Sequence, residues 1–317
     1  MTTLHINKTF IVNLIAIVNI TALCSCDPAW DIDYDMPVPQ EIVVEGEIEN
    51  GGFAKVILSR TIGLEEQFDS LSVVDSTIRW AKVSVSDGEQ TEILTGRLTP
   101  GQIPPFIYTG NTIRGIPGKT YTLTVEYSGR TLSATTTIPD PVDINRITVE
   151  KSSESDTLYQ VKIHFTDTDP AHNYYKIFTQ VRGRDSRFFS SFMGIFDDTM
   201  LDADGSGEVS AYRSFRHTDL DHYTPFFSHR DTVTVKFTQI PRDGFLFWSD
   251  YENEVTNGKN PIFPSMINLQ GNISGGMGIW CGYGQETRTI CIPDSIMLSA
   301  STITIINARL SLNCITH

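Results

Sequence analysis

The chain has 317 residues, with 38 Asp and Glu against 24 Lys and Arg and a formal net charge of −14. A surface this acidic repels phosphate, so the composition excludes nucleic acid and anionic lipid as partners. Once an N-terminal leader is set aside, roughly 290 residues remain, enough for one large or two ordinary domains with proper cores.

Lys8 is the one firm side-chain charge ahead of the apolar run "FIVNLIAIVNITA", Phe10 to Ala22. About 13 residues fall short of the roughly 20 that a spanning helix needs, and charged chain follows at once, so the run reads as the apolar core of a signal peptide. In "ALCSC", Cys26 has Leu23 three positions before it and the small Ser25 immediately before it, as a lipoprotein signal requires; Cys24 would have the bulky Leu23 in that last place. Residues 1–25 are therefore expected to be removed and Cys26 to be lipidated, holding the body to a membrane through an acyl anchor. Simple secretion by cleavage near Ala22 is the alternative.

Residues 26–39, "CDPAWDIDYDMPVP", are acidic, punctuated by proline and without apolar period, which predicts a tether. From Gln40 the pattern turns to alternation. Ile42, Val44, Gly46 and Ile48 share one side, as do Val56 and Leu58, and then Ala81, Val83 and Val85. Period two with β-branched residues predicts half-buried strands. In "YTLTVEYSGRTLSATTT", Tyr121, Leu123, Val125 and Tyr127 alternate up to Ser128 and Gly129, and Leu132, Ala134 and Thr136 alternate back, a β-hairpin with a two-residue turn. Short strands separated by turns, without helical period, predict a mostly β protein. Its first domain, residues 40–138, is expected to be an antiparallel β-sandwich of immunoglobulin or transthyretin type. A barrel would show the same alternation.

"IPDPV", residues 138–142, closes that domain. Strands resume in a second β-rich domain over 143–293: "RITVE", then "LYQVKIHFTD" with Tyr159, Val161, Ile163 and Phe165 in step, "NYYKIFTQVR" and "DTVTVKFTQI". One segment breaks the rhythm. Over 244–257, Phe247, Tyr251 and Val255 recur at helical spacing with Trp248 beside them, Glu252 and Glu254 lie outside the stripe, and Asn257 and Gly258 end it, so a helix with a core-facing aromatic stripe is expected. Residues 294–317 form an extension to which the sequence assigns no fold.

The candidate sites are few. Asp202, Asp204 and Ser206 take positions 1, 3 and 5 of a calcium loop with Gly207 at 6, but Arg213 stands at 12 where the bidentate carboxylate belongs, so a solvated turn is the better reading and a weak metal site the other. His217, Asp219, Asp221 and His222, with His229 and Asp231 nearby, gather metal-ligand types without a helical ligand spacing. "GNISGGMGIWCGYG", residues 271–284, is no phosphate loop; its glycines predict a strand or bulge where backbones approach closely, and the alternative is a groove in which Trp280 and Tyr283 meet a ligand. Cys281 and Cys291 can face each other across a hairpin centred near Glu286, a candidate disulfide without metal or redox spacing. No nucleophile, base and acid set can be assembled from spacing, so no enzyme and no cofactor are expected.

"EIVVEGEIENGGFAKVILSR", "AKVSVSDG", "GIPGKTYTLTVEYSGRTLSATTTIPDPV", "YENEVTNGKNP" and "NISGGMGIWCGYG", in this order, resemble a Bacteroidota envelope lipoprotein family catalogued as domain of unknown function forty-two forty-nine. The resemblance runs from about Glu41 to about Pro293. It implies an outer-membrane or surface lipoprotein, often encoded beside a TonB-dependent receptor, with no catalytic residues assigned. It also implies O-glycosylation at Asp-Ser or Asp-Thr motifs, of which this chain offers Ser70, Ser76, Thr157, Thr199, Thr232 and Ser295. The expected function is a non-enzymatic binding or accessory component, attached to the outer membrane and working with a TonB-dependent outer-membrane receptor in uptake. A surface adhesion or structural lipoprotein that binds glycans or matrix is the leading alternative.

Overall fold

The computed structural model describes residues 40–61, 74–99, 104–214, 223–257, 269–293 and 303–306. The leader, Cys26, the tether, Ser70, Ser295, the segment from His217 to His222 and the Gly258 helix end lie outside them.

Alternation becomes strand in the first part of the chain: β1 (Ile42–Glu49), β2 (Phe53–Arg60), β3 (Lys82–Ser86), β4 (Thr91–Ile93), β5 (Thr95–Leu98), β6 (Phe106–Arg114), β7 (Thr120–Tyr127) and β8 (Arg130–Thr137). Ile42, Val44, Ile48, Val56, Leu58, Val83 and Val85 are all buried in one core. The β7–β8 hairpin closes on Tyr127 opposite Arg130. Ser128 and Gly129 both have positive φ, 51° and 76°, the backbone that a two-residue type I′ turn demands.

The rest of the chain adds β9 (Ile144–Lys151), β10 (Leu158–Thr166), β11 (Tyr174–Val181), β12 (Phe189–Asp197), β13 (Ser206–Ala211), β14 (Phe227–Ser228), β15 (Thr232–Ile240), the helix α1 (Arg242–Asn257), β16 (Met277–Cys291) and β17 (Ile303–Ile306). Tyr159, Val161, Ile163 and Phe165 point into a second core with Tyr175, Ile177 and Phe237. Within the extension after Pro293, β17 pairs antiparallel with β9.

Three sheets result among the described residues. One has eight strands in the order β12-β11-β15-β16-β1-β2-β6-β5, one runs β13-β10-β9-β17, and one runs β4-β3-β7-β8. The two small sheets cover the same face of the large one. Along β16, Trp280 joins the first core and Ile290 the second, and residues an even number apart on a strand share a face. Each small sheet with its half of the large sheet is therefore a sandwich, and the two sandwiches share one continuous sheet. The chain passes from one core to the other between Ile138 and Ile144, across the "IPDPV" segment.

The strand that joins the halves is β16. Its first half pairs with β1 from Met277 opposite Val43 to Tyr283 opposite Glu49, and its second half pairs with β15 from Gly284 opposite Gln239 to Cys291 opposite Thr232. The β1 pairing is parallel and brings a strand from beyond residue 138 into the first sandwich, which the sequence predicts to be antiparallel and complete within residues 40–138. The glycines serve close backbone approach: a Cβ on Gly284 would lie 2.2 Å from the Pro139 carbonyl oxygen. Because β16 is one uninterrupted strand, Cys281 and Cys291 lie ten positions apart on the same rail and no hairpin brings them together. Cys281 is a free, buried thiol, and Cys291 is disulfide-bonded.

Candidate functional site

The opposite face of the large sheet carries the site. Strands β11 and β15 are buried almost continuously rather than alternately, which is the mark of a sheet covered on both sides. The cover is α1. Phe245, Phe247 and Trp248 pack on a third apolar cluster made by Phe178, Ile240, Ile279, Cys281 and Tyr283. Gly244 lets the helix settle, because a Cβ there would stand 2.6 Å from the Cys281 sulfur. The predicted aromatic stripe thus divides: Phe247 and Trp248 face the sheet, while Tyr251 is 41% exposed.

Between α1, the start of β12 and strands β1, β2, β15 and β16 lies a cavity of about 1110 Å³. Its floor is charged. On β1, Val44, Gly46 and Ile48 face the core, so Glu45, Glu47 and Glu49 all project to the cavity side. Lys55 on β2, Lys236 on β15 and Arg187 before β12 also line it.

These charges are paired in graded fashion. Lys176 is fully buried, and its Nζ donates to Glu252 Oε1 at 2.5 Å. Glu252 therefore turns inward, contrary to its expected place outside the helix stripe, and the same oxygen accepts from the Gly194 N–H. Burial pushes the Lys176 ammonium below the usual lysine range, against the attraction of Glu252. Lys236 donates to Glu49 Oε2 at 3.2 Å and sits 4.8 Å and 4.9 Å from the ring centres of Phe178 and Phe188, so aromatic faces complete its shell. Lys55 bonds Glu47 at 2.9 Å. Burial alone would raise the Glu47 carboxyl, but Lys236 and Lys55 hold it below the usual carboxylate range.

Glu45 differs from its neighbours. Its closest cation, Arg187, stands 3.9 Å away, and its side chain is 54% exposed where it lines the cavity. The protein packed around it raises its pKa, against the attraction of Arg187.

The two aromatic residues singled out in the glycine-rich segment are three positions apart and so on opposite faces of β16. Trp280 is completely buried in the first core, its Nε1 donating to the Tyr121 carbonyl at 3.0 Å, and it takes no part in the cavity. Tyr283 does line it, with its hydroxyl accepting from Trp248 Nε1 at 3.0 Å and its pKa raised well above 10 by burial.

The calcium-loop candidates form a turn leading into β13. Asp204 Oδ1 accepts from both the N–H and the hydroxyl of Ser206, at 3.0 Å and 2.6 Å, Asp202 Oδ2 accepts from the same hydroxyl, and Gly205 takes φ of 78°. Those bonds use the loop's oxygens internally. Among the described residues no group of three or more His, Cys, Asp or Glu side chains is placed to hold a metal ion. Of the glycan candidates, Thr157 and Thr199 are exposed, and Ser76 and Thr232 are partly buried.

Sequence reasoning missed Lys176, Lys236, Glu252 and Arg187. The signal was present in "YYKIFTQV" and "TVTVKFTQI", where a lysine interrupts strands otherwise apolar on both faces. Such a lysine must find a carboxylate.

Fold and site together define a mostly β protein of sandwich architecture, with a helix-covered, charge-floored cavity on its shared sheet. The family model described as Domain of unknown function (DUF4249) matches residues 29–289, and the chain belongs to that family. No curated protein matches it. Among solved structures it is similar to the selenomethionine-substituted chicken interferon gamma receptor alpha chain, at 10% identity over 81% of this chain and 100% of that one, with a TM-score of 0.24. So loose a superposition carries no argument.

Proposed function

We propose that this is a non-enzymatic binding lipoprotein, attached to the outer membrane through an acylated Cys26 and working beside a TonB-dependent receptor, to which it presents a ligand held in the cavity of the shared sheet. The observation that carries the binding reading is the cavity itself: about 1110 Å³, walled by Phe178, Phe188, Phe247 and Trp248 and floored by charges. Concave, mostly apolar sites with a few placed polar groups are where proteins hold small molecules. Its lysines and carboxylates are spent on one another rather than poised as a nucleophile and base, which favours binding over turnover. The anchor is supported by the "LCSC" signal, and the receptor partnership by what the family resemblance implies.

The test is purification in mild detergent from crosslinked native envelopes, with mass spectrometry of companions and of the N-terminal peptide. Acylated Cys26 together with a TonB-dependent receptor is the expected result. Acylated protein recovered alone would remove the partnership, and a Cys26→Ala variant that still takes up fatty acid would remove the anchor.

A further inference from the structure

The cavity's charges define what it accepts. The lining holds Lys55, Lys236 and Arg187 against Glu45, Glu47, Glu49 and Glu252, and the fourth positive charge is the fully buried Lys176 paired with Glu252 from outside the lining, so the charges sum to zero only with Lys176 included. Three of the four pairs are closed at 2.5–3.2 Å. Glu45 and Arg187, 3.9 Å apart and 54% and 33% exposed, form the pair that is not closed by a hydrogen bond, whereas Lys55 and Glu47, also partly exposed, already hold each other at 2.9 Å.

A simple cation would satisfy Glu45 and leave Arg187 facing a cavity newly stripped of water; a simple anion would do the reverse. Either leaves one charge uncompensated once the ligand has displaced its water, which is costly. A ligand carrying both signs close together satisfies both. Size adds a second constraint: about 1110 Å³ is at the upper end of small-molecule sites, so a single amino acid would leave most of the space filled with water. The walls beside Glu45 and Arg187 are Phe188, Phe247 and Tyr251, which call for apolar or aromatic substituents. The hydroxyls of Ser190 and Thr109 supply partners for amide groups.

We propose that the cavity takes a zwitterionic amphiphile of short-peptide size, its ammonium on Glu45, its carboxylate on Arg187 and its apolar groups against Phe188, Phe247 and Tyr251. The proposal rests on the reading of the cavity as a ligand site.

The test uses the purified full chain and calorimetric titration with the tripeptide leucyl-tryptophyl-leucine, its N-acetylated form and its C-terminal amide, alongside uptake of the uncharged dye Nile red. The free tripeptide should bind and displace the dye. N-acetylation should weaken binding at least tenfold in the wild type and have no further effect in Glu45→Gln, while amidation should behave in the same way toward Arg187→Gln. Both variants should keep the wild-type melting temperature within a few degrees and take up Nile red normally. Capped peptides that bind as well as the free one, or a free tripeptide that does not bind at millimolar concentration, would overturn the proposal. Nile red then separates the two readings: saturable uptake leaves the cavity as a ligand site for another chemistry, and absence of uptake removes the cavity reading as well.

Discussion

Substituting Glu252 by Gln removes one charge while keeping an oxygen to accept from the Gly194 N–H, so it isolates what the carboxylate does for Lys176. Lys176 has no exposed surface, and Glu252 retains 18% of its own. Breaking a buried pair by deleting one partner costs about 3–5 kcal/mol, because the remaining ion is left uncompensated. The Lys176 ammonium lies 5.0 Å from the Trp248 ring centre and 6.0 Å from that of Phe178, which offsets part of that cost. About 3 kcal/mol is therefore expected, or a melting temperature lower by roughly 5 °C for a body of this size. The loss should depend on pH with a definite sign. Burial lowers the Lys176 pKa in the folded state. Between the folded and unfolded pKa values the unfolded chain binds more protons, so stability rises with pH there and falls as pH drops toward the folded pKa. Glu252→Gln, which removes the charge that holds the proton on, should thus recover part of its loss as the pH is raised from 7 toward 10. A Lys176→Met, Glu252→Leu double variant should lie within about 1 kcal/mol of wild type, since an apolar pair of similar volume serves a buried site as well as an ion pair. Urea denaturation of wild type, Lys176→Met, Glu252→Leu and the double variant closes the cycle. A single variant costing under 1 kcal/mol, or two single losses that simply add, would refute the reasoning.

Four further outcomes follow from the same geometry. Gly46→Ala should cost about 1–3 kcal/mol in urea denaturation, because its Cβ would stand 2.7 Å from Trp280 Cε3 in a filled core. Trp280→Phe should cost about 2–4 kcal/mol, through lost volume and an unpaired Tyr121 carbonyl, yet leave cavity binding of Nile red unchanged, whereas Tyr283→Phe should cost about 1–2 kcal/mol by leaving the Trp248 N–H without its acceptor. Burial pushes the Cys281 thiol up to about 12, so iodoacetamide at pH 8 should leave its peptide unlabelled in the folded protein and label it in urea.

Much of the fold was legible because its strands obey a local rule. Alternation in "EIVVEGEIE" and "LYQVKIHF" places the buried side correctly, and the Ser128-Gly129 turn fixes the register of its hairpin without reference to anything distant. What alternation cannot supply is partnership over long separations. The pairing of β1 with β16 joins residues more than 230 positions apart, and it decides that the two sandwiches share a sheet. For the same reason alternation leaves the polar side of β1 unassigned: Glu45, Glu47 and Glu49 have the same period whether they meet water or a helix-covered cavity. Their lysine partners come from β2 and β15, and Lys176 finds its own on α1. The glycine-rich setting offers Tyr283 and Trp280 alike as the alternative to a purely structural strand, and only the parity of β16 separates them, placing Tyr283 along the cavity and Trp280 in the core.

The most direct test of the account is native mass spectrometry of the protein released from freshly opened envelopes, wild type beside Ile57→Trp, which fills the cavity from the β2 side. A wild-type chain carrying a non-covalent small molecule that the filled variant lacks is the predicted result. A bare wild-type chain, or the same adduct on both proteins, would contradict it.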